Sequence, residues 1–110
     1  MSRLEIAADS AYGAANLPYG IYSVRGREPR ACTRYGDHVV DLAALLDEDV
    51  FAEPTLNPFL AQGHERWDAV RTRLAEAITG EVPDEAVHPI DAVTLHLPFE
   101  VADYVDFYAS

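Results

Sequence analysis

Hydrophobic residues follow two different spacings along this chain, and the change between them divides it. In the first half, Gly20 to Arg25 is rich in strand formers, Arg30 to Tyr35 alternates small or aromatic residues with Cys32 and Arg34, and His38 to Leu42 continues in the same style. Such segments suit a pleated, half-buried surface. Asn16-Leu17-Pro18 and Gly20 punctuate a turn before the first strand, and 26–29 forms a loop after it. Gly36-Asp37 separates the second strand from the third, which predicts a hairpin with a primed turn because glycine accepts positive φ. In the second half, Trp67, Val70, Leu74 and Ile78 recur at three- and four-residue steps. That spacing predicts an amphipathic helix from His64 to Thr79 with Trp67 in its buried stripe, stopped by Gly80 and barred from continuing by Pro83.

Shorter signals fill the gaps. Leu42 to Leu46 suits one or two helical turns before the acids Asp47 to Asp49 break the apolar run. Asn57 can cap a short helix, with Pro58 at its first position and Gly63 as its end. The first segment, through Ala15, reads as a leader with little regular structure. Glu81 to Asp91 holds two prolines without periodicity and reads as a surface connection, and Ala92 to Leu97 alternates well enough for a strand ending at Pro98. The pattern predicts a mainly β chain with inserted helices, its few strands curled into a partly open small barrel that buries one face and limits exposed edges.

Length and composition place this pattern in one domain covering 1–110. A chain of 110 residues with 49% hydrophobic and 25% charged residues is ordinary for a globular domain. No apolar run approaches the roughly 20 residues a membrane helix needs. Acids follow the start too soon for a signal peptide, so the expected address is the cytoplasm. The net charge of −11 argues against nucleic acid, whose phosphates require clustered Lys and Arg. The arginines at 25, 27, 30 and 34, and at 66, 71 and 73, are interrupted by acids or apolar residues and read as solvated faces or interdomain contacts.

Candidate chemistry is sparse. One cysteine, Cys32, rules out an intramolecular disulfide. Arg30 and Arg34 beside it could lower its pKa, but a small half-buried strand residue is the better reading. His38, His64, His88 and His96 form no i, i+4 pair or His-x-His cluster. Structural or solvent roles suit the first three, and His96, in an apolar strand, reads as a buried, hydrogen-bonded histidine. The serines lack a nucleophile elbow. In the tail, Asp106 and Tyr108 would share one side of an extended chain. There they would offer an oxygen ligand to a hard cation and a donor to an oxyanion. On spacing alone, a surface acid beside aromatic packing is the stronger reading.

Three ordered blocks alter that balance. Asn16-Leu17-Pro18-Tyr19-Gly20-Ile21-Tyr22-Ser23 comes first, then Thr55-Leu56-Asn57-Pro58-Phe59 with Gly63 and Trp67 beyond it. Leu95-His96-Leu97-Pro98 and Asp103-Tyr104-Val105-Asp106-Phe107-Tyr108 follow. In this order and at these separations they resemble the fumarylacetoacetase family, over essentially the whole chain from Asn16 onward. Val105 departs from the threonine more usual there.

The resemblance implies an amino-terminal SH3-like barrel, with 99–110 beginning the link into a separate catalytic domain. It implies hydrolysis of fumarylacetoacetate to fumarate and acetoacetate, in tyrosine and phenylalanine breakdown. A His–Glu pair activates water, and Ca²⁺ or Mg²⁺ grips the diketone oxygens. Asp106 is thereby implied as a metal ligand and Tyr108 as a substrate contact. The catalytic His, the other ligands and the oxyanion-stabilising cations are expected beyond Ser110, so the chain alone is expected to be inactive and to hold no cation tightly. The implied partners are the catalytic domain and a second copy in a homodimer, with no nucleic acid or membrane. Two alternatives remain at this point: a free-standing SH3-like interaction module, and a superfamily hydrolase of a different β-diketone acid.

Overall fold

The alternating segments become the middle of one antiparallel sheet. The computed structural model describes residues 2–4, 13 and 17–97. Its strands are β1 (Ser2–Arg3), β2 (Tyr19–Ser23), β3 (Arg30–Tyr35), β4 (His38–Asp41), β5 (Glu81–Val82), β6 (Val87–Pro89) and β7 (Thr94–Leu97). Its helices are α1 (Leu42–Leu46), α2 (Asn57–Leu60) and α3 (His64–Thr79), with single 3-10 turns at Asp49–Phe51, Asp84–Ala86 and Ile90–Ala92. Five strands pair in the order β6-β4-β3-β2-β7, and β1 pairs with β5 in a separate ribbon. The five-stranded sheet curls into a half-barrel, as expected for a small SH3-like barrel. A register shift between Ile21 and Tyr22, where β7 joins β2, contributes a local irregularity of the kind that bends strands.

The β3–β4 hairpin turns at Gly36-Asp37, with Tyr35 opposite His38. Gly36 has φ 61 and Asp37 does not have positive φ, the pattern of a II′ turn among the primed forms. Pairing from this turn sets the two faces of the sheet. Tyr19 and Ile21 on β2, Ala31, Thr33 and Tyr35 on β3, and Val40 on β4 lie on the major face. Against them pack Leu42 and Leu46 of α1, Phe51, Phe59 of α2 and the Val70, Leu74 and Ile78 stripe of α3. Those three stripe residues are 0% exposed, and complete burial of each side chain stabilises the fold by roughly 1.5–3 kcal/mol. Trp67 packs half-buried at the edge of this core and donates its indole N–H to the Phe59 carbonyl at 3.2 Å. Tyr22, Cys32 and Val39 form a smaller cluster on the other face, partly covered by Val24, Ile90 and Val93.

Five features differ from the sequence reading. Ser2–Arg3 is a strand, because a later strand, Glu81–Val82, lies alongside it. The 81–91 connection carries β5 and β6, and β6 is an edge strand of the main sheet, paired with β4. So short a strand has no room to show periodicity. The short helix starts with Asn57 inside it and Leu56 at the cap, while the Thr55 hydroxyl accepts the Asn57 N–H at 3.1 Å. Gly63 caps the following helix at φ 90, a backbone conformation that glycine adopts without a Cβ clash. Two strands also have different bounds, with Gly20–Arg25 becoming Tyr19–Ser23 and Ala92–Leu97 becoming Thr94–Leu97. No helix among the described residues is long and apolar enough to cross a membrane.

Candidate functional site

Sheet register assembles the main polar cluster on the minor face. Tyr22 lies opposite Arg30, Cys32 opposite Asp41, and Val39 opposite His88. The cluster therefore draws on four adjacent strands. Asp41 ends β4 and caps α1, where its Oδ1 accepts the Ala44 N–H at 2.9 Å. Tyr22 donates its hydroxyl to Asp41 Oδ2 in a short hydrogen bond. Arg30 Nη2 donates to Oδ1 at 3.2 Å, and Arg30 Nε lies 2.9 Å from Oδ2, out of line for a hydrogen bond. The His88 ring leans on the Tyr22 ring at a centroid distance of 5.4 Å, with its Nε2 3.5 Å from the hydroxyl.

Asp41 is 3% exposed, so its charge is out of water and needs these partners. Around the cluster opens a cleft of about 300 Å³, with Val24, Arg27, Glu28, Ala44, Ala52 and Glu85 completing its lining. The β2–β3 loop sets part of the rim. Arg27 N–H donates to the Val24 carbonyl at 2.9 Å, and Gly26 takes φ 83 at the third turn position, as a type II turn requires.

Electrostatics keep the potential nucleophiles protonated. Burial first, then the hydrogen bond and charge of Asp41, push the Tyr22 phenol far above its ordinary range. Burial first, then Asp41, do the same to the Cys32 thiol. A thiol and a phenol held protonated are poor nucleophiles. Cys32 is fully buried rather than half-buried, and the neighbouring arginines do not activate it. The cleft can bind polar groups, and it contains no activated nucleophile among the described residues.

Burial lowers the His88 pKa below its ordinary 6.5, reinforced by Arg27 and opposed by Asp41. The folded protein thus binds fewer protons at His88 than the unfolded chain does. Its contribution is fully present above about pH 6.5 and is lost as pH falls through 6.5 toward the depressed folded value. Urea midpoints measured from pH 8 down to pH 5 should fall in that window, and His88→Gln should flatten this part of the profile. An unchanged profile in the variant would place the acid sensitivity elsewhere.

The other candidates read from the sequence fall outside this cluster. Asp106 and Tyr108 lie outside the described residues. His96 accepts or donates a 2.7 Å hydrogen bond with Ser23, but it is exposed, because β7 is the last strand of the sheet. His64 contacts the Trp67 ring at the start of α3. Arg66 and Arg73 both bind Glu48, the latter at 2.6 Å. Arg71 donates to the Leu17 carbonyl at 2.7 Å and sits over the Tyr19 ring. Among the described residues no three His, Cys, Asp or Glu side chains gather as a metal site.

Sequence reasoning missed Arg30 as an ion-pair partner and His88 as a cleft residue. The hairpin register could have located Asp41 opposite Cys32, since a two-residue turn after Tyr35 determines that pairing. No local signal places His88, because β6 reaches β4 from beyond all three helices.

The family described as Fumarylacetoacetase N-terminal matches residues 15–98. The chain belongs to this family. Fumarylacetoacetases similar to it include those of Bos taurus, 32% identical, and Homo sapiens, 33% identical, each aligned over 100% of this chain. The Arabidopsis thaliana enzyme is 31% identical over 99% of the chain. The chain spans 31% of the length of each of these relatives. The fumarylacetoacetase N-terminal match therefore covers the whole five-stranded sheet and the three helices packed on it.

Proposed function

We propose that this chain is the structural and docking domain of a hydrolase that cleaves fumarylacetoacetate to fumarate and acetoacetate, in tyrosine and phenylalanine catabolism in the cytoplasm. The observation that carries this reading is the alignment of essentially the full chain with fumarylacetoacetases across distant organisms. In it, Asp106 is one carboxylate ligand of a Ca²⁺ or Mg²⁺ ion, and Tyr108 contacts substrate. The bound ion would supply Lewis-acid polarisation of the diketone. The partners are a catalytic domain and a second copy of the whole protein.

A single carboxylate supplies one or two of the six to eight oxygens that Ca²⁺ takes, so the 110-residue chain by itself should bind neither ion tightly. It should also show no turnover. The test is the full-length protein assayed with fumarylacetoacetate and titrated calorimetrically with both ions. Asp106→Ala is expected to weaken metal binding and turnover together while the amino-terminal barrel stays folded. Micromolar cation binding by the 110-residue chain would overturn the assignment of Asp106, as would unchanged metal affinity in the full-length variant. Preference for another β-diketone acid would overturn the substrate.

A further inference from the structure

The cleft on the minor face carries charges that no contact among the described residues uses. The carboxylate in its floor is matched: Arg30, Tyr22 and the Ala44 N–H all satisfy Asp41. Its rim is not. Arg27, Glu28 and Glu85 border the same cleft, and none makes a side-chain hydrogen bond or ion pair with another described residue. Elsewhere on this domain opposite charges do meet, as where Glu48 gathers Arg66 and Arg73 and where Arg34 approaches Asp37 at 3.6 Å.

Both signs of charge around one opening restrict what it can hold. A simple anion attracted to Arg27 and to the outward side of Arg30 would face Glu28 and Glu85. A simple cation drawn to the two glutamates would face the two arginines. A molecule carrying both charges a few bonds apart satisfies each side. Val24, Ala44, Ala52 and the faces of the Tyr22 and His88 rings supply apolar wall for a short side chain. The volume of about 300 Å³ is at the lower end of the range for small-molecule sites and suits a ligand of that size.

We propose that this cleft binds a small zwitterion of the α-amino-acid class, with Arg27 and Arg30 on its carboxylate and Glu28 and Glu85 on its ammonium group. The proposal uses neither Asp106 nor Tyr108 and does not depend on the hydrolytic reading. Charged hydrogen bonds at a half-open cleft are partly screened, so the expected affinity is weak, with a dissociation constant on the order of 1 mM.

Three matched probes test the proposal on the 110-residue chain by amide chemical-shift titration: L-leucine, 4-methylpentanoate and 3-methylbutylamine. L-leucine is expected to shift the amides around Tyr22 to Arg30 and Glu85 to His88 saturably. Each singly charged analogue should bind roughly tenfold more weakly, because it leaves one side of the rim unpaired. Arg27→Gln and Glu85→Gln should each weaken L-leucine binding by about the same factor, with urea midpoints unchanged because both residues are exposed. Saturable binding of either analogue as tight as that of L-leucine would overturn the zwitterion in favour of a plain anion or cation site. Absence of saturable shifts at these residues, or binding indifferent to both substitutions, would remove the site altogether.

Discussion

Asp41→Ala is expected to lower the unfolding free energy by about 3–4 kcal/mol, seen as a lower urea midpoint at an unchanged slope. One carboxylate does two jobs. As the α1 cap it accepts the Ala44 N–H, and loss of such a cap costs about 1 kcal/mol. As the buried anion it receives Tyr22 and Arg30, and hydrogen bonds to a charged group contribute roughly 1.5–3 kcal/mol. The Arg30 side chain is 40% exposed, so water recovers part of its loss, whereas the Tyr22 hydroxyl is left with only His88 Nε2 at 3.5 Å. Asp41→Asn keeps the shape and a cap acceptor and should cost less than half as much. An alanine variant within about 1 kcal/mol of the parent would show that the cluster is a surface feature with no part in holding β2, β4 and α1 together.

Phe59→Ala should be as damaging, at about 3–5 kcal/mol. Phe59 is 1% exposed and joins two aromatic contacts, edge-on to Tyr19 at 5.5 Å and tilted against Phe51 at 5.0 Å. It links the sheet to the segment between α1 and α3. Truncation loses the transfer energy of the ring and leaves a cavity among side chains that are held from three directions. For a domain of this size the loss is a large share of the total stability, about 5–15 kcal/mol. Leu95→Ala is the control, since Leu95 is 40% exposed on β7 and its removal should change stability by no more than about 0.5 kcal/mol. Near-equal urea midpoints for the two variants would contradict the placement of Phe59 at the centre of the core.

What the chain declares by itself is whatever its own short-range chemistry decides. The Gly36-Asp37 hairpin was legible because a two-residue turn demands positive φ and sets the register of the strands it joins. The Val70, Leu74 and Ile78 stripe was legible because sixteen residues give a helical period room to repeat. Family membership was legible for a related reason: blocks such as Asn57-Pro58-Phe59 carry their information in residue identity and order.

The tertiary structure alone decided the polar cleft. Tyr22, Arg30, Asp41 and His88 come from four strands, and only the sheet order β6-β4-β3-β2 makes them neighbours. His88 belongs to a three-residue strand whose pairing partner lies far back in the chain, so nothing beside it in sequence announces its role. His96 shows the converse. Its flanking leucines suggest burial, but on the edge strand β7 no described element covers it and it lies in water. Local propensity determines the longer elements, whereas the two- and three-residue strands β1, β5 and β6 form through their pairing partners. Which side chains meet depends on long-range pairing, whose energy comes from burial shared among residues far apart in sequence.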